Sequence, residues 1–459
     1  MERDLAAIIK AYDVRGIYPD QLDAELAERV GGAFAVVVGA ASRDGGPGAI
    51  VLGRDMRPSG VELSEAFKQG VTAQGVDVID IGLASTDLLY FASGSLGLPG
   101  AMFTASHNPA RYNGIKMCRA GAVPVGAETG LATIRELVAE PVPAPAGVVR
   151  GMVTERPMLD AYAAHLLTLV PLECIRPLKV VVDAGNGMAG LTVPVVLSHG
   201  SLTLVPMYFE LDGTFPNHEA NPIDPANLVD LTERVVAEGA DLGLAFDGDA
   251  DRCFVVDERG RPVDPSALTA LIAVRELARH PGATILHNLI TSRSVPEIVS
   301  AHGGVPVRTQ VGHSFIKATM AETGAVFGGE HSGHFYFADF WNADSGMLAA
   351  LHVLAALGGS PAGTTLSSLV GRYEVYVASG EVNSKVSDAA GAIARVRATF
   401  EGRPGVSLDF LDGMTVAGPG WWFNVRLSNT EPLVRLNVEA PTGDEMAQLR
   451  DEVLGLIRA

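Results

Sequence analysis

The stretch Phe103-Thr104-Ala105-Ser106-His107-Asn108-Pro109 decides how this chain is read. The apolar run from Leu98 to Phe103 reads as a buried strand. It ends abruptly in small and polar residues closed by Asn-Pro, a turn signal. Ser106 therefore sits where a strand empties into a loop, and open α/β sheets bind ligands at the carboxyl ends of their strands. A serine there can act as a nucleophile if a neighbour activates it. His107 is adjacent, and adjacent side chains rarely aim at a common point, so a protease-type Ser–His pair is not expected. A turn serine capping a helix would look the same in isolation; the rest of the chain decides between the two.

Two further stretches repeat the pattern. Asp241 to Phe246 is an apolar strand that delivers Asp247-Gly248-Asp249-Ala250-Asp251-Arg252. Three carboxylates at alternate positions on one loop converge only if a cation offsets their repulsion, and a hard divalent ion with oxygen ligands fits. Asp247, Asp249, Asp251 and Glu258 imitate EF-hand spacing. Arg252, however, stands where that loop needs Gly, and the flanks are strand-like, so an EF-hand is rejected. Arg252 beside three carboxylates suits a phosphate contact at a metal site. The strand Ala325 to Phe327 leads into Gly328-Gly329-Glu330-His331-Ser332-Gly333-His334, whose Glu330, Ser332 and His334 suit sugar hydroxyls. Zinc is the rival ligand, but the spacing matches no common zinc motif.

The intervening chain is α/β in pattern. Arg15 precedes Gly16, which suggests a tight turn presenting the arginine. Ala49 to Leu52 and Val76 to Ile81 read as strands, and Leu63, Phe67 and Val71 share one helical face. Asn113-Gly114 reads as a turn that brings Lys116 towards Ser106. Lys179 to Asp183 is a strand followed by the Gly-rich 184–188, which lacks the residues of a P-loop and reads as a structural strand-to-helix turn. A helix is expected over 265–279, with strands at 284–287 and 305–308. Pro-rich 140–147 and Gly-rich 358–363 are linkers. Beyond them the pattern is strand, helix, strand, strand, helix, with an anion cradle at Arg426-Leu427-Ser428-Asn429-Thr430.

Composition narrows the function. Of 459 residues, 34 are Lys or Arg and 53 are Asp or Glu, a formal net charge of −19. That balance argues against a nucleic-acid or anionic-membrane partner, so cations for an anionic substrate must be gathered locally. The 3 cysteines are widely spaced and suit a reducing compartment. Met1 to Asp4 has no signal-peptide pattern, and the apolar stretch Val30 to Ala41 is too short to span a bilayer.

Tyr12-Asp13-Val14-Arg15-Gly16, Gly53-Arg54-Asp55, Thr104 to Pro109, Asp247 to Arg252, Gly329 to His334 and Arg426 to Thr430 together resemble the α-D-phosphohexomutases, in order and over essentially the whole chain. The bacterial phosphomannomutase/phosphoglucomutase branch is the most similar. The resemblance implies an α/β protein of three similar mixed domains plus a smaller C-terminal α+β domain around a central cleft. With the linkers, this predicts 1–150 carrying the phosphoserine loop, 151–256 the metal loop, 257–368 the sugar loop and 369–459 a phosphate loop. Ser106 would carry a phosphoryl group, and Asp247, Asp249 and Asp251, with an oxygen on Ser106, would bind one Mg²⁺. Arg15, Lys116 and Arg252 would surround the reacting phosphate, with Lys116 as general acid or base. His107, His313 and His334 complete the catalytic set. Glu330, Ser332 and His334 would read the sugar, with Tyr12 a further substrate contact. Arg426, Ser428, Asn429 and Thr430 would hold the phosphate that is not reacting.

The implied reaction interconverts hexose 6-phosphate and hexose 1-phosphate, mannose before glucose, through a hexose 1,6-bisphosphate. The implied partners are sugar phosphates, with no nucleic acid and no membrane, in a cytoplasmic monomer or homodimer. Ile290 stands where many relatives carry lysine, so one cationic contact is missing or supplied differently. A haloacid-dehalogenase-like phosphatase with Asp247 as nucleophile and a non-catalytic sugar-phosphate-binding protein remain as alternatives.

Overall fold

The computed structural model describes residues 4–40, 48–198, 201–427 and 433–459, and of His313 and Ser314 the backbone alone. It divides into two compact units, Met1–Val263 with Ser332–Ser367, and Asp264–His331 with Ser368–Ala459. Among the described residues no helix is long and apolar enough to cross a membrane.

The first unit opens with a mixed sheet. Six of its seven strands lie in the order Val14–Ile17, Tyr112–Arg119, Gly100–Phe103, Ala49–Arg54, Asp77–Leu83 and Val153–Glu155, and Val123–Pro124 pairs with Tyr112–Arg119. The strand leading to Ser106 is central and buried along its whole length, which is why it reads as an unbroken apolar run. It pairs in parallel with Ala49–Arg54 and antiparallel with Tyr112–Arg119. The helix Ser59–Ala73 buries Leu63, Phe67 and Val71, as their spacing predicts. The Phe67 ring meets Phe103 edge-on with centroids 5.4 Å apart, which docks the helix on the serine strand. Beyond the Pro-rich linker the chain returns to this sheet, with Val153–Glu155 in parallel with Asp77–Leu83.

Two local expectations are corrected here. Arg15 lies in a strand rather than a tight turn, paired with Gly114 across the sheet. Asn113-Gly114 also lies within a strand and forms no turn. The reason is close packing: a Cβ at position 114 would come within 2.4 Å of the Val14 carbonyl, so glycine is required for approach and not for bending. Asn113 spends its side chain on Ser59 Oγ and on the Gly114 amide.

The second sheet of this unit has the order Cys253–Asp257, Leu242–Phe246, Leu178–Asp183, Leu202–Met207. Leu242–Phe246 is buried throughout and pairs antiparallel with Cys253–Asp257, so the Asp-rich loop joins two strands. A backbone bridge between Arg252 and His334 ties the Ser332–Ser367 segment to the end of that loop.

In the second unit, Thr284–Asn288 pairs in parallel with Val305–Thr309 and Phe327–Gly329. The helix Pro265–Arg279 begins at an Asp264 cap whose carboxylate accepts from the Ser266 amide at 2.6 Å. The C-terminal sheet is antiparallel, in the order Val377–Lys385, Leu433–Ala440, Trp421–Leu427, Met414–Gly418, Ser407–Asp409, with helices Ala389–Phe400 and Gly443–Arg458. Four strands stand between those helices where the sequence pattern predicts two. Ser407–Asp409 is short and largely exposed, and a left-handed Gly413 (φ 67°) interrupts the run before Met414, so neither strand shows a clean alternation.

Helices Ala24–Val37 and Ser59–Ala73 cross backbone to backbone. A Cβ on Gly70 would lie 1.9 Å from the Glu28 carbonyl oxygen, and one on Gly31 would lie 2.2 Å from that of Phe67. Gly70→Ala should therefore force the helices apart and cost about 3 kcal/mol or more. Urea unfolding followed by circular dichroism checks this; a midpoint equal to the parent's would mean that the pair tolerates separation.

Candidate active site

Ser106 is one of the few residues other than glycine in the left-handed region, at φ 49°. Its amide donates to Thr104 Oγ1 at 2.9 Å, which closes the turn at the strand end. The hydroxyl donates to Asp247 Oδ2 at 2.7 Å, with Arg252 Nη2 at 3.4 Å. His107 Nδ1 lies 3.2 Å from the same hydroxyl. The expectation that adjacent side chains would not converge is thus corrected, because the left-handed backbone folds the next residue back. His107 is no hydrolase base, however. Burial, helped by the charges of Arg252 and Arg15, pushes its pKa down to about 2, so the ring stays neutral.

The three aspartates converge as their spacing predicts. Asp247, Asp249 and Asp251 are buried and offer carboxylate oxygens all within 4.8 Å of one another. Ala250 between them is left-handed at φ 59°, which lets alternate side chains face one point. Lys116 Nζ donates to Asp249 Oδ2 at 2.7 Å and to Asp251 Oδ2 at 2.5 Å. Arg252 Nε donates to Asp247 Oδ2 at 2.9 Å. Burial opposes a charge on Lys116, but Asp249 and Asp251 outweigh it and hold the ammonium well above its ordinary pKa. Burial likewise opposes ionisation of Asp249, yet Lys116 and the Thr86 hydroxyl, 2.6 Å away, hold that carboxyl well below the usual range. Asp247 goes the other way. Burial and its two acidic neighbours prevail over Arg252 and push it up to about 7.

These residues suit a metal ion. Asp249 Oδ1 and Asp251 Oδ1 are buried with no hydrogen-bond partner, an arrangement that costs free energy unless a cation or a water meets them. The donors are all hard oxygens, the set that divalent Mg²⁺ or Ca²⁺ takes and that zinc seldom takes alone.

Around this centre, Arg15 donates to the Ala105 carbonyl at 3.3 Å and to the side chains of Asn108 and Asp13, so it borders the serine loop. Tyr12 lies half-buried in the bend before that strand. His334 Nε2 stands 3.6 Å from Asp251 Oδ1 and 3.9 Å from Asp344 Oδ2, and its Nδ1 shares a hydrogen bond of 3.0 Å with Ser332 Oγ. The first unit therefore brings together Ser106, His107, Arg15, Lys116, the aspartate triplet, Arg252 and His334, with Ser332 bonded to His334.

The remaining expected residues belong to the second unit. Glu330 is buried and accepts from Asn288 Nδ2 and from the Gly312 amide, both at 3.2 Å. His313 heads the helix His313–Thr323. Arg426 pairs with Glu381 at 2.7 Å, and Arg435 meets the same carboxylate at 3.1 Å. Ser428, Asn429 and Thr430 lie outside the described residues. At Ile290 the main-chain amide donates to Asn288 Oδ1 at 3.2 Å.

Sequence reasoning missed Thr86, whose hydroxyl and amide both donate to Asp249. Ser85-Thr86-Asp87 carries a helix N-cap signature that could have marked this loop end. It also missed Asp87, a buried carboxylate that accepts from Tyr162 at 2.6 Å and Ser345 at 2.7 Å. Those partners are far apart in sequence, and no local pattern reveals them.

Comparison with known proteins agrees with this geometry. Models of the phosphoglucomutase/phosphomannomutase family match α/β/α domain I at residues 6–142, domain II at 160–260, domain III at 264–376 and the C-terminal domain at 381–456. The chain is 43% identical over 453 residues to a protein named for phosphohexose mutases from Xanthomonas campestris pv. campestris, covering 98% of each. It is 39% identical over 460 residues to a phosphomannomutase from Salmonella montevideo, again covering 98% of each. A crystal structure of a phosphoglucomutase/phosphomannomutase family protein from Burkholderia thailandensis superposes with a TM-score of 0.88 at 33% identity, over 98% of this chain and 97% of that one. With all four domain models matched in order, and full-length relatives this similar, the chain belongs to the phosphoglucomutase/phosphomannomutase family.

Proposed function

We propose that this phosphohexomutase interconverts mannose 6-phosphate and mannose 1-phosphate, with glucose phosphates as further substrates, through a phosphoryl group carried on Ser106. The observation that carries the reading is the Ser106 hydroxyl bonded to a carboxylate of the buried aspartate triplet, with the Arg252 guanidinium beside it. Phosphoryl transfer asks mainly for alignment and charge neutralisation, and those are the two things this loop cluster supplies. The full-length relative named as a phosphomannomutase supports mannose as the first substrate.

The charges need a further cation. A phosphoserine brings about −1.5 to −2 near neutral pH, and three carboxylates add to it, while Lys116 and Arg252 offset only part. Asp247, Asp249 and Asp251 would hold Mg²⁺, which polarises the phosphoryl oxygens and completes the neutralisation. In the first transfer the Oγ–P bond breaks and a bond from P to O6 of hexose 1-phosphate forms. Lys116, held protonated by its two aspartates, returns a proton to Ser106 Oγ. His334, whose Nε2 lies beside Asp251 and Asp344, takes the proton from O6. The resulting hexose 1,6-bisphosphate then gives its other phosphate back to Ser106. Arg426, paired with Glu381, would receive the distal phosphate, as would Ser428, Asn429 and Thr430, and Glu330 and Ser332 would read the sugar hydroxyls. All three cysteines are free thiols, which fits a reducing, cytoplasmic setting.

Ser106→Ala should lower kcat on mannose 1-phosphate by at least about 10³-fold, and intact mass should lose the single phosphate that the parent gains from glucose 1,6-bisphosphate. A phosphatase using Asp247 would instead keep its turnover and release inorganic phosphate. Mg²⁺ affinity should also depend on pH. Because Asp247 sits at about 7 in the metal-free protein, protons compete with the metal as pH falls. Affinity should weaken about tenfold per unit below pH ~7 and level off above it. Calorimetric Mg²⁺ titrations from about pH 5 to 8 test the slope, and Asp247→Asn should flatten it.

A further inference from the structure

The stretch Gly53-Arg54-Asp55 leads into Arg57, a residue with no role in the reading so far. Its side chain is fully buried. From Nη1 it donates to the carbonyls of Pro109 at 2.9 Å and Tyr112 at 3.0 Å, and from Nη2 to those of Ser106 at 2.9 Å and Asn108 at 2.6 Å. All four acceptors belong to the loop that carries Ser106 and to the first residue beyond it. Asp55 Oδ2 lies 3.3 Å from Nε, and the Phe215 ring covers the guanidinium with its centroid 5.1 Å away. The Ser106 carbonyl is closed in from the other side as well, since a Cβ on Gly248 would come within 2.5 Å of it.

A serine at φ 49° is strained and persists only where its surroundings over-determine it. Five donors in a rigid fork can hold several carbonyls at once, and an ammonium cannot copy that geometry. We propose that Arg57 is a positioning residue of the mutase: its guanidinium locks the 106–112 loop in the left-handed form that aims Ser106 Oγ at the aspartate triplet. Phe215 and Asp55 keep the guanidinium in place, and Arg57 itself touches no reacting atom. The inference rests on the reading of Ser106 as the phosphoryl carrier.

The test uses the full chain with Arg57→Lys and Phe215→Leu. In Arg57→Lys, kcat on mannose 1-phosphate should fall about 10²-fold, the scale of a small misplacement of a reacting group, while KM stays within about threefold. Hydrogen exchange should quicken in the 104–112 peptide and nowhere else, and calorimetric Mg²⁺ affinity should hold. The inference is overturned if kcat stays within threefold of the parent. It is equally overturned if exchange quickens throughout the first unit, or if Mg²⁺ affinity falls in step with kcat, since both mark a merely structural role. Should Arg57→Lys not fold, Phe215→Leu keeps the arginine and should show the same local exchange with roughly a tenfold kcat loss; parent-like exchange and kcat there would also refute it. Intact mass of the parent separates the two ideas: turnover without any phosphorylated parent sinks the carrier reading, whereas the exchange pattern judges Arg57 by itself.

Discussion

The structure depends on a balance of buried charge at one point. Three aspartates, a lysine and an arginine share a space from which water is largely excluded, in a chain whose net charge is −19. Each charge alone would be expensive to bury; together they hold one another ionised or shift to fit. The outcome is uneven by design of the geometry. Lys116 is shared by Asp249 and Asp251, which keeps Asp249 firmly ionised, while Asp247, paired with Arg252 and bonded by Ser106, still gives way to burial and its acidic neighbours. Burial thus pushes one carboxylate of the triplet up while its neighbour Asp249 is held down.

The backbone makes that cluster possible. Ser106 and Ala250 are both left-handed, and each turns a strand end so that side chains which would alternate instead face inward. Such conformations cost of order 1–3 kcal/mol each and survive only under constraint. The constraint comes from backbone contacts rather than from apolar bulk. Thr86 binds Asp249 through both amide and hydroxyl, Thr104 binds the Ser106 amide, and Arg57 gathers the carbonyls of the serine loop. The apolar core beneath, with Phe67 against Phe103, fixes the strand from which this loop departs.

Much of this was legible in the sequence, and the reasons differ by element. The strands ending at Phe103 and Phe246 are buried on both faces, so they read as apolar runs whatever their partners. The helix Pro265–Arg279 announces itself by an Asp-Pro start. The aspartate triplet is local, and its alternation survives translation into space. Arg15 and Asn113-Gly114 misled because glycine has two uses, bending a chain and letting two chains touch, and sequence alone does not say which. The contacts of Arg57, Asp87 and Thr86 were invisible for another reason: their partners lie tens to hundreds of residues away, and hydrogen bonds between distant segments leave no periodic trace. Short, exposed Ser407–Asp409 carries too little pattern to register as a strand.

The Ser106 hydroxyl and the carboxylate it bonds are separated by 141 positions along the chain. Contacts of that span close late, after the entropy of a long loop has been surrendered. A polypeptide emerging from the ribosome holds the serine, with Arg57, Thr104 and His107 around it, well before it holds the acidic triplet. The serine hydroxyl therefore gains its carboxylate only when two distant segments have folded against each other.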